Sequence, residues 1–162
     1  MSNPCIFKIM PKYIRLIIIF LILGFCVIHK LEASGLSTGF SEVTLENLET
    51  GHVYRTKETA NLPLVVVNTG NLPIDLKIEL ILPQPAELKE GYEPIPDLSW
   101  IKFEQADFKE VKLNDSAISD VIIAIPNDKK YQGKKYQVFI WSHTTGTKIG
   151  LGLKSKLLFT IK

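Results

Sequence analysis

Beyond residue 40, apolar and polar positions alternate through most of the chain. A period of two marks strands with one buried face. The clearest run is Ile74, Leu76, Ile78, Leu80 and Leu82, interleaved with Asp75, Lys77 and Glu79. It predicts a strand with the first set in the core and the second in solvent. Residues 64–67 are apolar at every position and read as a central strand. Between the two runs, Asn68-Thr69-Gly70-Asn71 has turn chemistry, so residues 62–82 are expected to form a β-hairpin. Upstream, Val43 with Leu45, and Val53 with Tyr54, mark two strands around a Glu49-Thr50-Gly51 turn.

Downstream, Pro83, Pro85, Pro94, Pro96 and Gly91 interrupt residues 83–97. That stretch is expected to lack regular structure, and loops of such length in compact domains are often functional. Strands resume at Trp100, Ile101 and Phe103, then at Phe108, Val111 and Leu113. An Asn114-Asp115-Ser116 turn leads to Val121, Ile123 and Ile125, where Pro126 stops the run. Tyr136, Val138 and Ile140 alternate with Gln137, Phe139 and Trp141. A Thr- and Gly-rich loop over residues 143–150 precedes a last strand carrying Leu151, Leu153, Leu157, Phe159 and Ile161. About eight strands, no amphipathic helix of ten residues and no repeat predict an all-β, antiparallel two-layer sandwich.

The order Pro63-Leu64-Val65-Val66-Val67-Asn68-Thr69-Gly70, then Ser99-Trp100-Ile101, then Ile125-Pro126, then Gly133 and Tyr136 resembles bacterial extracytoplasmic immunoglobulin-like domains. It is similar to the PapD-like and cell-wall-associated sandwich modules, loosely over residues 41–162. The chain departs from that pattern at Leu113-Asn114-Asp115-Ser116, where a turn with glycine and proline is usual. The resemblance implies an immunoglobulin-like sandwich that serves as a binding or structural module. It transfers no functional residue.

The first 33 residues follow other rules. Lys8, Lys12 and Arg15 precede thirteen consecutive apolar or small residues, 16–28, and a short polar stretch ends at Ala33. This is the order of a secretory signal, with cleavage expected after Ala33 and a mature domain over residues 34–162. The apolar run is shorter than the ~20 residues of a membrane-spanning helix. The competing reading is an uncleaved anchor, touching the membrane only through residues 14–30, with Arg15 and Lys30 at its two faces. Bulky Phe25 before Cys26 argues against lipoprotein processing. Export predicts a periplasmic, cell-surface or secreted location.

Setting that segment aside changes the arithmetic. Four of the 19 basic residues and one of the 17 acids lie in it, leaving fifteen against sixteen. The net +2 of the whole chain therefore belongs to the leader, and no basic field for nucleic acid remains. Cys5, Cys26, Met1 and Met10 lie there too. Residues 34–162 thus have no disulfide, thiolate nucleophile, c-type haem motif or thiolate metal ligand.

Catalytic groupings are sparse. His52 and His143 sit far apart beside turn residues, with no spacing that calls for a metal. Adjacent Ser142 and His143 face opposite sides of an extended chain, and no Gly-x-Ser-x-Gly is present. Glu87, Glu90 and Glu93 read as a solvated loop and Lys129, Lys130, Lys134 and Lys135 as a soluble turn. Gly150 and Gly152 open no helix. No catalytic, cofactor or metal residue is assigned, and an enzyme is not expected.

Aromatic residues carry the remaining signal. Trp100 is expected to cap the core. Phe139 and Trp141 share the face opposite Val138 and Ile140, so that strand is apolar on both sides. The second side is either covered or exposed as an interaction patch. Tyr92, Phe139 and Trp141 are the candidate partner-binding residues. The leading functional reading is a non-enzymatic envelope or secreted protein that binds another protein, with strand addition as a natural mode. The alternative is a carbohydrate-binding module whose Tyr92, Trp100 or Trp141 stacks on sugars of a polysaccharide.

Overall fold

The computed structural model describes residues 35–146 and 150–162. The signal or anchor expected over residues 1–33 lies outside them. Strand segments follow in the order β1 (Leu36–Thr38), β2 (Glu42–Leu48), β3 (Val53–Arg55), β4 (Leu64–Asn68), β5 (Ile74–Ile81) and β6 (Glu93–Pro94). Then come β7 (Ile101–Phe103), β8 (Asp107–Val111), β9 (Ser116–Ser119), β10 (Val121–Ala124), β11 (Lys135–Thr145) and β12 (Gly152–Ile161). One short helix, α1 (Thr56–Ala60), separates β3 from β4.

One layer runs β2-β12-β11-β5-β8, and β6 pairs the start of β11, which β5 does not reach. The other consists of β1-β4-β9 and β3-β10-β7. Pairing is antiparallel except for β2 with β12 and β6 with β11. β3 and β4 both run against the nearly continuous β9 and β10, with Tyr54 opposite Ile123 and Leu64 opposite Ser119. They are one strand interrupted by α1. The chain also changes layer between β1 and β2 and between β7 and β8. Taken this way the segments trace eight paths: β1/β2, β3/β4, β5, β6, β7/β8, β9/β10, β11 and β12. The fold is the all-β two-layer sandwich that the alternation predicts, in the immunoglobulin-like form that the resemblance implies.

Alternation places the core as expected. Ile74, Leu76 and Ile78 are buried in the same core as Val138, Ile140 and Leu157, while Asp75, Lys77 and Glu79 turn outward. Trp100 is buried at one end and meets Tyr131 and Tyr136 edge-on at 4.7 and 5.7 Å. Leu80 is only half-buried and Leu82 is exposed, because β5 ends at Ile81 and the chain leaves across the outer face.

Two expectations are corrected. β4 and β5 do not form a hairpin, since β4 pairs β1 and β9 while β5 pairs β11 and β8. The connection is an arch between layers, held by buried Asn68. Its Nδ2 donates to Leu72 O and Val111 O, both at 2.8 Å, and its Oδ1 accepts from Gly70 N at 2.9 Å. Five residues, 69–73, make this connection in place of the two-residue turn typical of a hairpin. The second correction is at the end of β11, which continues through His143 to Thr145. Thr144 faces inward opposite Leu76 and is buried, so its polarity hid a strand position.

Candidate binding site

Register places nine outward side-chain positions of β5, β11 and β12 in three rows. Ile81, Phe139 and Lys156 form the first, Glu79, Trp141 and Lys154 the second, and Lys77, His143 and Gly152 the third. Directly opposed residues in antiparallel strands share a face, so Trp141 is the centre of the array. Glu42 on β2 extends the first row beyond Lys156.

The first row is roofed. The loop after β5 turns back over it, opening with a 3₁₀ turn, Pro85–Glu87, whose Gln84 and Glu87 cap each other. Gln137 fixes this loop to the sheet: its Nε2 donates to Glu87 O at 2.9 Å and its Oε1 accepts from Lys89 N at 2.8 Å. Gln137 is fully buried on the outer side of β11. Nothing local in the sequence distinguishes it from a solvated strand glutamine. Its value comes from the loop that reaches it.

Between loop and sheet lies a shallow groove of about 610 Å³, lined by Ser41, Glu42, Ala86, Glu87, Phe139, Lys154 and Lys156. Phe139 is its floor and is almost fully buried. Lys154 Nζ stands 4.6 Å from the centre of that ring and 2.6 Å from Glu87 Oε1. On the other wall, Glu42 pairs with Lys89 at 3.0 Å and Lys156 at 3.4 Å. Lys154 holds the Glu87 carboxyl below its usual range, and Lys89, then Lys156, do the same for Glu42. Exposed pairs of this kind are weak, because water screens them. They are easily rearranged by a ligand.

The second and third rows are open. Trp141 is half-buried. A Cβ built at Gly152 would lie 2.3 Å from Trp141 Cζ2 and Cη2 and 3.0 Å from Cε2. The indole therefore lies across the glycine, in space any other residue would occupy. His143 stacks beside it at 6.0 Å and 22° and meets Glu79 Oε2 through Nε2 at 3.1 Å. Lys77, then His143, lower the Glu79 carboxyl. Ser142 faces inward with a buried, unpartnered Oγ, on the side opposite His143, so the two do not form a catalytic pair. His52 sits near Glu49 and Tyr54 on the β2–β3 turn.

The candidate residues thus separate. Phe139 and Trp141 are neighbours on one face, the first covered and the second open. Tyr92 is outside the groove lining, half-buried beside Lys89, whose Nζ is 5.9 Å from its ring. Sequence reading missed Glu42, at the groove's mouth on β2, as well as Lys154, Lys156 and the loop-holding Gln137.

β2 is also the longest outermost strand among the described residues, with no strand beyond it. Its seven residues lack proline, and Val43, Leu45 and Leu48 point into the core. Ser41 O accepts from Lys156 N at 2.9 Å. The alternation of a parallel ladder from that point turns the backbone groups of Glu42 and Thr44 away from β12. Both ends of this layer carry a register shift and a left-handed residue, Glu110 at φ +52° in β8 and Asn47 at φ +58° near the end of β2, so the regular open edge of β2 is its first half, residues 42–45.

No family model matches the chain, and no curated protein matches it. Among solved structures, it is similar to the ASH / PapD-like domain of human CEP192 (PapD-like domain 7), with TM-score 0.57 and 10% identity over 83% of this chain and 90% of that one. It is similar to the CsuC-CsuE chaperone-tip adhesion subunit pre-assembly complex of Acinetobacter baumannii, with TM-score 0.52 and 14% identity over 79% of this chain and 57% of that one. A "putative carbohydrate binding protein" from Bacteroides ovatus gives TM-score 0.52 and 13% identity over 78% of this chain and 36% of that one. At these identities the likeness shows the β-sandwich fold and nothing finer.

Proposed function

We propose that this protein is an exported, non-enzymatic binding module that captures an extended segment of a partner protein along β2. The observation that carries this reading is the open edge of β2 ending at the mouth of the Phe139-floored groove. An added strand satisfies the outward backbone groups of Glu42 and Thr44, as in strand addition generally. Its outward side chains stand beside Glu42, and one apolar residue enters the groove once the Lys154–Glu87 pair shifts. Aromatic floors in such pockets make good anchors. The solved chaperone-subunit complex with a similar fold is consistent with a protein partner. Of the three residues of the polysaccharide alternative, Trp100 is buried, while Tyr92 and Trp141 are half-buried.

Residues 34–162 contain no cysteine, which allows single-cysteine photo-cross-linking in intact cells. A probe at Thr44→Cys is expected to give a discrete protein adduct, and one at Lys102→Cys on β7 is expected to give none. Equal adducts from both positions, or none from position 44, contradict edge capture. N-terminal sequencing of the same material checks the export premise, with Ser34 expected as the first residue.

A further inference from the structure

Trp141 lies outside the groove lining. Its setting is specific. Glycine at position 152 is what lets the indole lie across β12. Glu79 and Lys154 stand directly opposite Trp141 on its two sides, and Lys77 and His143 occupy the next row. A flat aromatic surface with the Glu79 carboxylate and the His143 imidazole at its rim is thereby held on the sheet, and the Lys154 ammonium, which rests over Phe139 against Glu87, reaches that rim when its flexible stem turns. Glu79 already receives Lys77 and His143, but each carboxylate oxygen keeps a further acceptor position. Lys154 has three donors, and the structure gives it one carboxylate partner.

We propose that Trp141 is a stacking platform for a single β-gluco-configured pyranose ring, with Glu79 and Lys154 binding its hydroxyls. In that configuration the ring substituents are equatorial, so both faces of the sugar present only C–H groups. C–H groups suit the negative face of an indole. Equatorial hydroxyls project sideways, toward the rim where Glu79 and Lys154 stand. An axial hydroxyl blocks one of the two faces and leaves the plane in which the rim groups stand, so such a sugar stacks by its other face only and loses a rim contact. Ligand sites generally combine one apolar surface with a few placed polar groups, and this face has that composition. One platform binds one sugar unit, which implies weak, millimolar affinity and a role as an auxiliary contact to glycan.

Intrinsic fluorescence tests this directly, because the chain has two tryptophans and Trp100 is buried at 5% exposure. The protein recovered from cells expressing the full chain is titrated with cellotriose and with the β-1,4-linked trimer of N-acetylglucosamine. A saturable change near about 1 mM is expected for at least one of them, with galactotriose weaker because its axial hydroxyl leaves the plane of the rim groups. Trp141→Ala is expected to abolish binding measured by calorimetry. Gly152→Val, which lifts the indole off the sheet, is expected to weaken it about ten-fold. Trp141→Phe, the variant least disturbing to the fold, is expected to bind more weakly than the parent and still prefer the gluco trimers. No response to either gluco trimer at about 10 mM overturns the proposal. So does calorimetric binding that survives unchanged in Trp141→Ala or Trp141→Phe. Loss of the Thr44 protein adduct in Trp141→Ala, without any sugar response, assigns the ring to the protein contact and likewise overturns it. The Thr44 probe and the sugar titration report on different residues, so failure of one leaves the other readable.

Discussion

Thr56 Oγ1 donates to Asp120 Oδ1 at 3.1 Å across the gap where β3 gives way to β4. The same carboxylate accepts from Lys57 N at 3.0 Å and from Arg55 Nη1 at 3.3 Å. Val121 N donates back to Thr56 Oγ1 at 3.4 Å, and Glu104 N donates to Asp120 O at 3.0 Å. One buried acid thus supplies partners to a strand pair at the point where α1 breaks its ladder, and ties in β7 from the other side.

That arrangement predicts a pH-dependent contribution to stability. Burial works against the Asp120 carboxylate, but the hydrogen bonds from Lys57 and Thr56 and the Arg55 guanidinium outweigh it and hold the carboxyl below its usual range. A lowered folded-state value stabilises the native state above the unfolded value of about 3.9, and the benefit fades as pH falls through the folded one. Asp120→Ala is expected to cost about 3 kcal/mol at pH 7. In urea melts, the gap between parent and variant should narrow below about pH 4. A gap that is constant with pH would mean the carboxylate charge is irrelevant.

The alternation in β5 makes a second prediction. Leu76 is 2% exposed, and Lys77 is half-exposed beside it. Leu76→Ala is expected to cost about 2–5 kcal/mol, and Lys77→Ala to stay within about 0.5 kcal/mol. Similar losses from both would show that the strand faces are misassigned.

Gln137 predicts local behaviour. Gln137→Leu removes the partners of Glu87 O and Lys89 N and is expected to cost about 1–3 kcal/mol. Amide exchange should quicken at Lys89 and Ile95 while Val138 and Ile140 stay protected. Uniform quickening across β11 would instead indicate global destabilisation.

Much of this fold is legible in the chain because a strand's period of two depends only on neighbours. Ile74, Leu76 and Ile78 declare their face without reference to any partner. The pairing of strands is another matter. Asn68-Thr69-Gly70-Asn71 has the residues of a hairpin turn, and only the distant carbonyl of Val111 shows that Asn68 holds an arch. Likewise the burial of Ser119, Asp120 and Val121 in succession has no local cause; it follows from α1 inserting opposite them.

The candidate site was legible in part. Phe139 and Trp141 stand out as apolar positions on the wrong face of β11. Which of them is covered depends on the proline-rich loop, and through it on Gln137. The match of Trp141 to Gly152 depends on the β11–β12 register, set by two full strands and the loop between them. Glu42 becomes part of the site only because β2 docks in parallel on β12. No spacing in the sequence encodes that.

The central claim is that the backbone edge of β2 carries the partner. Thr44→Pro tests it most directly, with a photo-cross-linker at Glu46→Cys reporting the partner in intact cells. The Thr44 amide points away from β12, so proline there removes an edge donor without breaking the β2–β12 ladder. The account predicts an unchanged thermal melt and loss of the protein adduct. An adduct that persists at full yield in the folded Thr44→Pro variant would contradict it.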